Sequence, residues 1–442
     1  MAVNSFLLES MPLGKPPSDW KVVYLKDVTS KIGSGATPRG GAKVYQSHGI
    51  SLIRSQNVHD HKFSKEGLAF IDKEAANKLN NVVVELNDVL LNITGDSIAR
   101  CCLVPNVAIL RPTKKLDSTY LQKYLSLLSV KNYMLGHDAG GTRKALTKGN
   151  IERFLIPLPP LPEQKAIARI LGTLDDKIEL NQQMNRTLEA TARAIFKSWF
   201  VDFDPVRALI DGRQPEGMDA QTAALFPDGF EDSELGMIPK GWRVAPLPEV
   251  IEVNPKRSLS KGQLAPYLDM KNMPTRGHCP DNWFDRPFKS GTKFINGDTL
   301  LARIAPCLEN GKTAFVDFLE DEVVGWGSTE YIIFRPKPPL PLELGYYLAR
   351  SEELRMHAIQ NMTGTSGRQR TPADCFGQYL MAVPTEEIAT KFGEIIKPLT
   401  IKIRANSEQS RSLSTLRDTL LPKLMSGEMR VVEAEKMVED VT

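Results

Sequence analysis

From Ile167 the apolar positions step by four and three without a break: Ile167, Leu171, Leu174, Ile178, then Asn181 and Asn185, then Leu188, Ala192, Ile195 and Trp199. That alternation averages 3.5 residues, the period of a helix seam that packs on another helix. Pro162 and Glu163 suit a first turn, where a missing N–H costs nothing and a carboxylate favours the positive end of the helix dipole. Asp202-Phe203-Asp204-Pro205 supplies the stop, leaving about 37 residues, or roughly 55 Å of helix. The pattern returns 225 positions later as Phe392, Ile396, Leu399, Ile403, Asn406, Ser410, Leu413, Arg417, Leu420 and Leu424. In this second copy Pro398 is expected to kink or start the helix and Pro422 to close it, leaving a cleaner stretch of about 23 residues. Asn181 and Asn406 fall on the same seam position. A polar residue in a seam penalises any register that leaves its amide unpartnered, so the two helices are expected to pack on each other, with these two residues meeting. The mid-helix placement leaves parallel and antiparallel packing open.

The repeat extends beyond the helices. Trp20-Lys21-Val22 answers Trp242-Arg243-Val244, Tyr124-Leu125 answers Tyr347-Leu348, and Gly141-Thr142 answers Gly364-Thr365. Each globular block opens on its tryptophan with a short alternating run and turns polar and glycine-rich. Short strands follow, with Val82 to Leu86, Val89 to Ile93, Thr299 to Ile304 and Tyr331 to Phe334 as examples. A helix around Tyr120 to Met134, or Leu342 to Met356, then leads into a polar loop. Each block is therefore read as α+β, and the repeat as a unit made twice for a two-sided target.

The candidate working residues sit in those loops. Gly35, Thr37 and Arg39 combine flexible backbone, a hydroxyl and a guanidinium, which suits close approach to a phosphate or a base edge. Arg54, Gln56 and Asn57 follow in the first block, Lys271 and Asn272 in the second; such side chains read guanine or adenine through paired hydrogen bonds. Thr142, Arg143 and Lys144, and their counterparts Arg368, Gln369 and Arg370, form the later loop, with Lys256, Arg257 and Arg303 completing the set. The seam residues expected to pair the helices are Leu174, Ile178, Asn181, Leu188, Leu399, Ile403, Asn406 and Leu413.

At 442 residues with 41% hydrophobic and 25% charged residues, the chain has material for two or three packed domains. No segment approaches the roughly 18 uninterrupted apolar residues of a membrane span, and the first residues lack a basic leader, so a cytoplasmic protein is expected. Five cysteines in no zinc spacing are read as reduced and structural. The net charge of +3 conceals a gradient: residues 1–160 hold 21 basic against 13 acidic side chains, and residues 161–240 hold 9 against 14. A basic block beside an acidic helical one would suit a polyanion on the first and a protein partner on the second.

Several chemistries lack their motifs. No Asp/Asn-Pro-Pro-aromatic methyltransferase signature occurs, and Phe203-Asp204-Pro205-Val206 resembles it only superficially. No glycine-rich fingerprint for adenosylmethionine or ATP is present. Glu163-Gln164-Lys165 has nuclease-like spacing without an upstream partner, and His59 and His61 are close but make no metal motif. No catalytic residue and no metal site are assigned.

Ile156-Pro157-Leu158-Pro159-Pro160-Leu161-Pro162-Glu163-Gln164 before the first helix, Phe203-Asp204-Pro205-Val206 after it, Ile238-Pro239-Lys240-Gly241-Trp242, and Leu420-Leu421-Pro422-Lys423-Leu424-Met425-Ser426-Gly427 resemble the DNA specificity subunits of type I restriction-modification systems. The resemblance implies two target recognition domains separated by two long conserved helices packed as an antiparallel coiled coil with an internal pseudo-twofold repeat. The domains would be residues 1–155 (first recognition domain), 156–201 (first helix), 202–238 (linker), 239–384 (second recognition domain), 385–427 (second helix) and 428–442 (tail). It implies double-stranded DNA as ligand, each block reading half of a bipartite target, and helices that dock two modification (methyltransferase) subunits and restriction (translocase and nuclease) subunits. This chain would bind no cofactor; S-adenosylmethionine, and ATP with Mg, would belong to the partners. One departure stands out: Asp88 to Arg111 spans 23 positions, whereas Asp298 to Arg335 spans 37, and Val104-Pro105-Asn106-Val107 looks like a strand joined directly to the next. Two rival readings are a coiled-coil protein scaffold without DNA specificity and a degenerate DNA-modifying enzyme.

Overall fold

A computed structural model describes residues 11–439 except 61, 95–96, 104–107, 137–144, 281 and 366. The chain divides into two compact units, Met1–Glu179 with Ser410–Thr442, and Leu180–Gln409. The division falls within both long helices, Leu161–Phe200 and Glu386–Ser426, so it differs from the six consecutive segments expected.

In the first unit, strand Lys21–Tyr24 pairs antiparallel with Leu155–Leu158. Residues 156–158 therefore belong to the block's sheet structure rather than to the helix, which starts only at Leu161. A four-stranded antiparallel sheet runs in the order Thr29–Gly33, Ala108–Pro112, Val89–Leu91, Cys101–Leu103. Residues 104–107 lie outside the described residues, but the strands on either side of them are not neighbours. Both pair with Val89–Leu91, from opposite edges. The expected strand from Val82 is instead a helical turn, Asn80–Val82, followed by irregular chain.

The second unit repeats this order. Arg243–Pro246 pairs with Leu380–Val383, and a second antiparallel sheet runs Ile251–Val253, Tyr331–Pro336, Thr299–Ala302, Thr313–Phe315. An additional four-stranded sheet, Phe284–Pro287, Leu264–Leu268, Gly325–Gly327 and Thr292–Phe294, takes its third strand from the longer stretch between Asp298 and Arg335. Beside its four-stranded sheet, the described residues of the first unit form two-stranded pairs, Ile50–Leu52 with Ala69–Ile71 and Val58–His59 with Lys62–Phe63. The sequence difference in length is thus a difference in the secondary sheet.

Each block's single expected helix is two. Ser118–Ser126 and Leu128–Gly136 break at Leu127, and Leu342–Arg350 and Glu352–Gln360 break at Ser351, whose hydroxyl accepts from the Leu354 N–H and starts the next helix. Hydrophobic periodicity runs through such a break because both helices face one core.

The second long helix is continuous for 41 residues through both Pro398 and Pro422. Pro398 is exposed, so the carbonyl it leaves without an N–H partner can turn to water while Ile396 and Thr400 on either side remain buried. The expected linker and tail are structured too. Val206, Phe226 and Ile238 join the core of the second unit with Trp199 and Trp242, and helix Val431–Glu439 buries Ala434 and Val438 in the core of the first.

Candidate nucleic-acid interface

The repeat persists at the level of single hydrogen bonds. In the first unit Asn87, with φ 70°, precedes fully buried Asp88, whose carboxylate accepts from the Glu85 N–H at 2.8 Å and from Arg111 at 2.8 and 2.9 Å. In the second, Gly297, with φ 88°, precedes fully buried Asp298, which accepts from the Ile295 N–H at 2.9 Å and from Arg335 at 2.7 Å. A buried carboxylate needs such donors, and the left-handed residue before it turns the chain to supply one. The hydrogen bond to Asp88 also holds the Arg111 guanidinium above its ordinary pKa.

Beyond these anchors, the polar loops return to the sheet in the same way. Leu146 N–H donates to the Ile93 carbonyl at 2.9 Å, and Thr371 N–H donates to the Arg303 carbonyl at 2.8 Å. Each follows an isolated bridge, Thr94 with Ala145 and Ile304 with Arg370. In each block the loop after the first sheet strand, the end of the second sheet strand in chain order and the end of the late polar loop therefore meet at one edge of the sheet.

In the second unit that edge holds a basic concavity lined by Asn254, Arg257, Thr292, Lys293, Arg303 and Thr329, with no carboxylate in its lining. Lys293 was not singled out by sequence; it becomes relevant because Gly291 admits a turn no other residue fits, a Cβ there lying 2.0 Å from the Gly327 carbonyl. Arg303 and Arg370 share one carboxylate, Glu330, at 4.0 and 2.8 Å, and Arg257 shares Asp298 with Arg335. Each cluster carries two guanidiniums per carboxylate, which leaves positive charge for an anion. Arg257 and Arg370 are nevertheless occupied by these internal pairs, a more structural position than the sequence suggested. Lys256, Lys271 and Arg368 are exposed; Asn272 and Gln369 are half-buried, and the Asn272 N–H caps onto Asp269 at 2.8 Å.

In the first unit Gly35 and Thr37 line a groove with Tyr45, Arg54 and Thr94, and Arg39 stands exposed beside it. The Arg54 guanidinium lies 5.3 Å from the Tyr45 ring centre and donates to the Gly67 carbonyl, as does the exposed Gln56 amide. Asn57 departs from expectation. It is fully buried, its amide donating to the Ser64 and Glu66 carbonyls at 3.0 Å and its oxygen accepting from the Arg54 N–H, so it builds the loop and has nothing left for a base. Thr142, Arg143, Lys144 and His61 lie outside the described residues.

The helix seams pack as their spacing requires. In the first unit Leu174, Ile178 and Leu413 share one core, and Asp175 accepts from Arg417 at 2.8 Å and pairs with Lys123. In the second, Asn181 donates to Gln409 at 2.9 Å and Asn185 to the Ile403 carbonyl at 3.2 Å, so number rises along one helix as it falls along the other: the pair is antiparallel. Ile403 is buried, and Leu399 is partly buried against the adjoining core; Leu188 is half-buried. Asn181 does reach residue 406, but at its backbone carbonyl, 3.4 Å away; the Asn406 amide donates instead to the Asn185 oxygen at 2.9 Å. The expected pair is a network of several amides.

Residues 17–190 match the family model described as the type I restriction modification DNA specificity domain. The chain is 24% identical over 440 residues to the type I restriction enzyme MjaIX specificity subunit of Methanocaldococcus jannaschii, covering 95% of this chain and 96% of that one. It is 25% identical over 475 residues to the HindI specificity subunit of Haemophilus influenzae, covering 93% and 100%. Among solved structures, the type I restriction-modification S subunit from M. genitalium superposes with a TM-score of 0.56 at 14% identity, covering 94% of this chain and 98% of that one. Among the described residues, no helix is long and apolar enough to cross a membrane. With two α+β blocks repeated to the level of single hydrogen bonds and two long paired helices, the chain is similar along nearly its whole length to the specificity subunits of type I restriction enzymes, and its residues 17–190 match their DNA specificity domain.

Proposed function

We propose that each globular block reads one half of a bipartite DNA target, and that the antiparallel helices set the gap and dock two modification subunits, with restriction subunits joining them. The observation that carries this reading is the common sheet edge, where both blocks gather loop hydroxyls and guanidiniums around the same returning hydrogen bond. Two copies of one reading edge suit two half-sites. On this reading S-adenosylmethionine, and ATP with Mg, act in the partner subunits, and the complex works in the cytoplasm. Arg39, Arg54, Lys256, Lys271, Arg303 and Arg368 are the side chains proposed to reach DNA, with Lys293 added from the structure.

The test is the methylome of a host carrying this chain with its modification partner. A split target with an unread gap is expected, and exchange of the first block for that of a relative should change one half only. A continuous target, or both halves changing together, overturns the reading.

A further inference from the structure

Away from the sheet edges, the second unit brings Asp317 to the adjacent His278 and Cys279, three side chains of metal-ligand type. A ring nitrogen of His278, the thiol sulfur of Cys279 and a carboxylate oxygen of Asp317 lie within 4.8 Å of one another. His278 is 1% exposed, so its ring has no recourse to water. Its Nε2 stands 2.9 Å from Asp317 Oδ2, and on the opposite side of the ring its Nδ1 faces Glu189 Oε2 at 3.8 Å. Glu189, on the first long helix, is itself fixed by the Tyr346 hydroxyl, which donates to Oε1 at 2.6 Å.

Two atoms in this cluster are left over. Asp317 Oδ1 and Glu189 Oε2 are both buried with no hydrogen-bond donor. A buried carboxylate oxygen without a donor is costly, and an imidazolium held between the two carboxylates, although its Nδ1–H would face Glu189 Oε2, would still leave Asp317 Oδ1 in that state. Imidazole nitrogen, thiolate sulfur and carboxylate oxygen are the three donor types that zinc accepts together. A carboxylate behind the imidazole, as Glu189 is, fixes the tautomer of a metal-bound histidine.

We propose that His278, Cys279 and Asp317 bind one divalent transition-metal ion of the zinc class, with Glu189 orienting His278 from behind. The ion takes its fourth ligand from water. Binding requires a neutral imidazole and releases the thiol proton of Cys279 to solvent. The ion would join the His278-Cys279 loop to the end of strand Thr313–Phe315 and, through Glu189, brace both on the long helix. The role is structural and does not depend on how DNA is read.

The full chain, stripped with a chelator and titrated with Co(II), tests this. One equivalent should bind with tetrahedral d–d bands and a thiolate-to-cobalt charge-transfer band, and Zn(II) should displace it. Cys279→Ser should abolish the charge-transfer band, Cys307→Ser should leave it intact, and Glu189→Gln should weaken binding by about 10-fold to 100-fold. Should Cys279→Ser fail to fold, maleimide labelling of the wild-type chain decides instead: Zn(II) should protect Cys279 and leave Cys307 reactive. Absence of cobalt uptake at micromolar metal, a charge-transfer band surviving in Cys279→Ser, or unprotected Cys279 in the presence of Zn(II) would overturn the proposal.

Discussion

Asn185, which the heptad pattern ranks no higher than its neighbours, is the hub of the amide network between the long helices in the second unit. It donates to the Ile403 carbonyl and to Ser407 and accepts from Asn406. Asn181 donates to the backbone carbonyl of Asn406, a contact that no side-chain substitution at 406 removes. A double-mutant cycle on Asn185→Leu and Asn406→Leu should therefore give a coupling of about 0.5–3 kcal/mol, larger than that of the Asn181→Leu and Asn406→Leu cycle. Urea unfolding of the four proteins in each cycle measures both; a stronger coupling for the 181–406 cycle would return the two equivalent asparagines to the centre of the network. Asp298 is the other residue on which much depends, since Arg257, Arg335 and the Ile295 N–H all converge on one fully buried carboxylate. Asp298→Ala strands two guanidiniums and should cost about 3–5 kcal/mol, the range for removing one partner of a buried pair. A loss below about 1 kcal/mol in the same urea assay would mean water replaces the carboxylate, as at an exposed pair.

The second long helix passes through a proline whose local preference opposes helix. A helix-interior proline is less favourable than alanine by about 3 kcal/mol in model systems, and here it is outweighed by Phe392, Ile396 and Ile403, buried on the opposite face. Pro398→Ala should thus stabilise the chain, by up to about 3 kcal/mol, with helix content unchanged in circular dichroism. Destabilisation would show that the proline shapes the helix to its surroundings. The sheets make a similar point. Both blocks keep the same four-stranded order, while the strand Gly325–Gly327, present only in the longer stretch, adds a second sheet to one block. An insertion can change a lobe without disturbing the sheet that carries the proposed reading edge.

For the whole chain, electrostatics supply the accessible measurement. With Arg39, Lys256, Lys271 and Arg368 exposed, DNA affinity of the assembled complex should fall steeply with salt, because each neutralised phosphate releases counterions. Replacing these four by alanine should lower the slope of log K against log[salt] by about 0.9 for each phosphate no longer neutralised, and weaken all sequences alike. Replacing Arg303 or Lys293, which line the concavity, should relax one target position by about 1–3 kcal/mol if it touches a base. Filter binding at two or more salt concentrations separates the outcomes. An unchanged slope in the four-alanine variant would remove those residues from the proposed interface.

The heptad steps, the 225-residue offset and the runs around the long helices are enough to read two α+β blocks, two pairing helices and a resemblance to specificity subunits, because each is a sequence pattern that survives without knowledge of the tertiary fold. Helix direction lay beyond the seam itself, since a 3.5-residue period satisfies either orientation, and only the descending pairs between 181 and 185 and 403 and 409 decide it. The loop residues show the same limit in sharper form. Asn57, Arg257 and Arg370 carry the side chains that DNA-reading proteins use, yet each is engaged inside the protein, on carbonyls, Asp298 or Glu330. Lys293 and the His278, Cys279, Asp317 cluster are not legible in the sequence, because strand pairing places Lys293, and Asp317 and Glu189 reach the adjacent His278 and Cys279 from distant parts of the chain. Composition determines which chemistry a loop can offer; burial and hydrogen-bond competition, which exist only after folding, determine which side chains remain free to offer it.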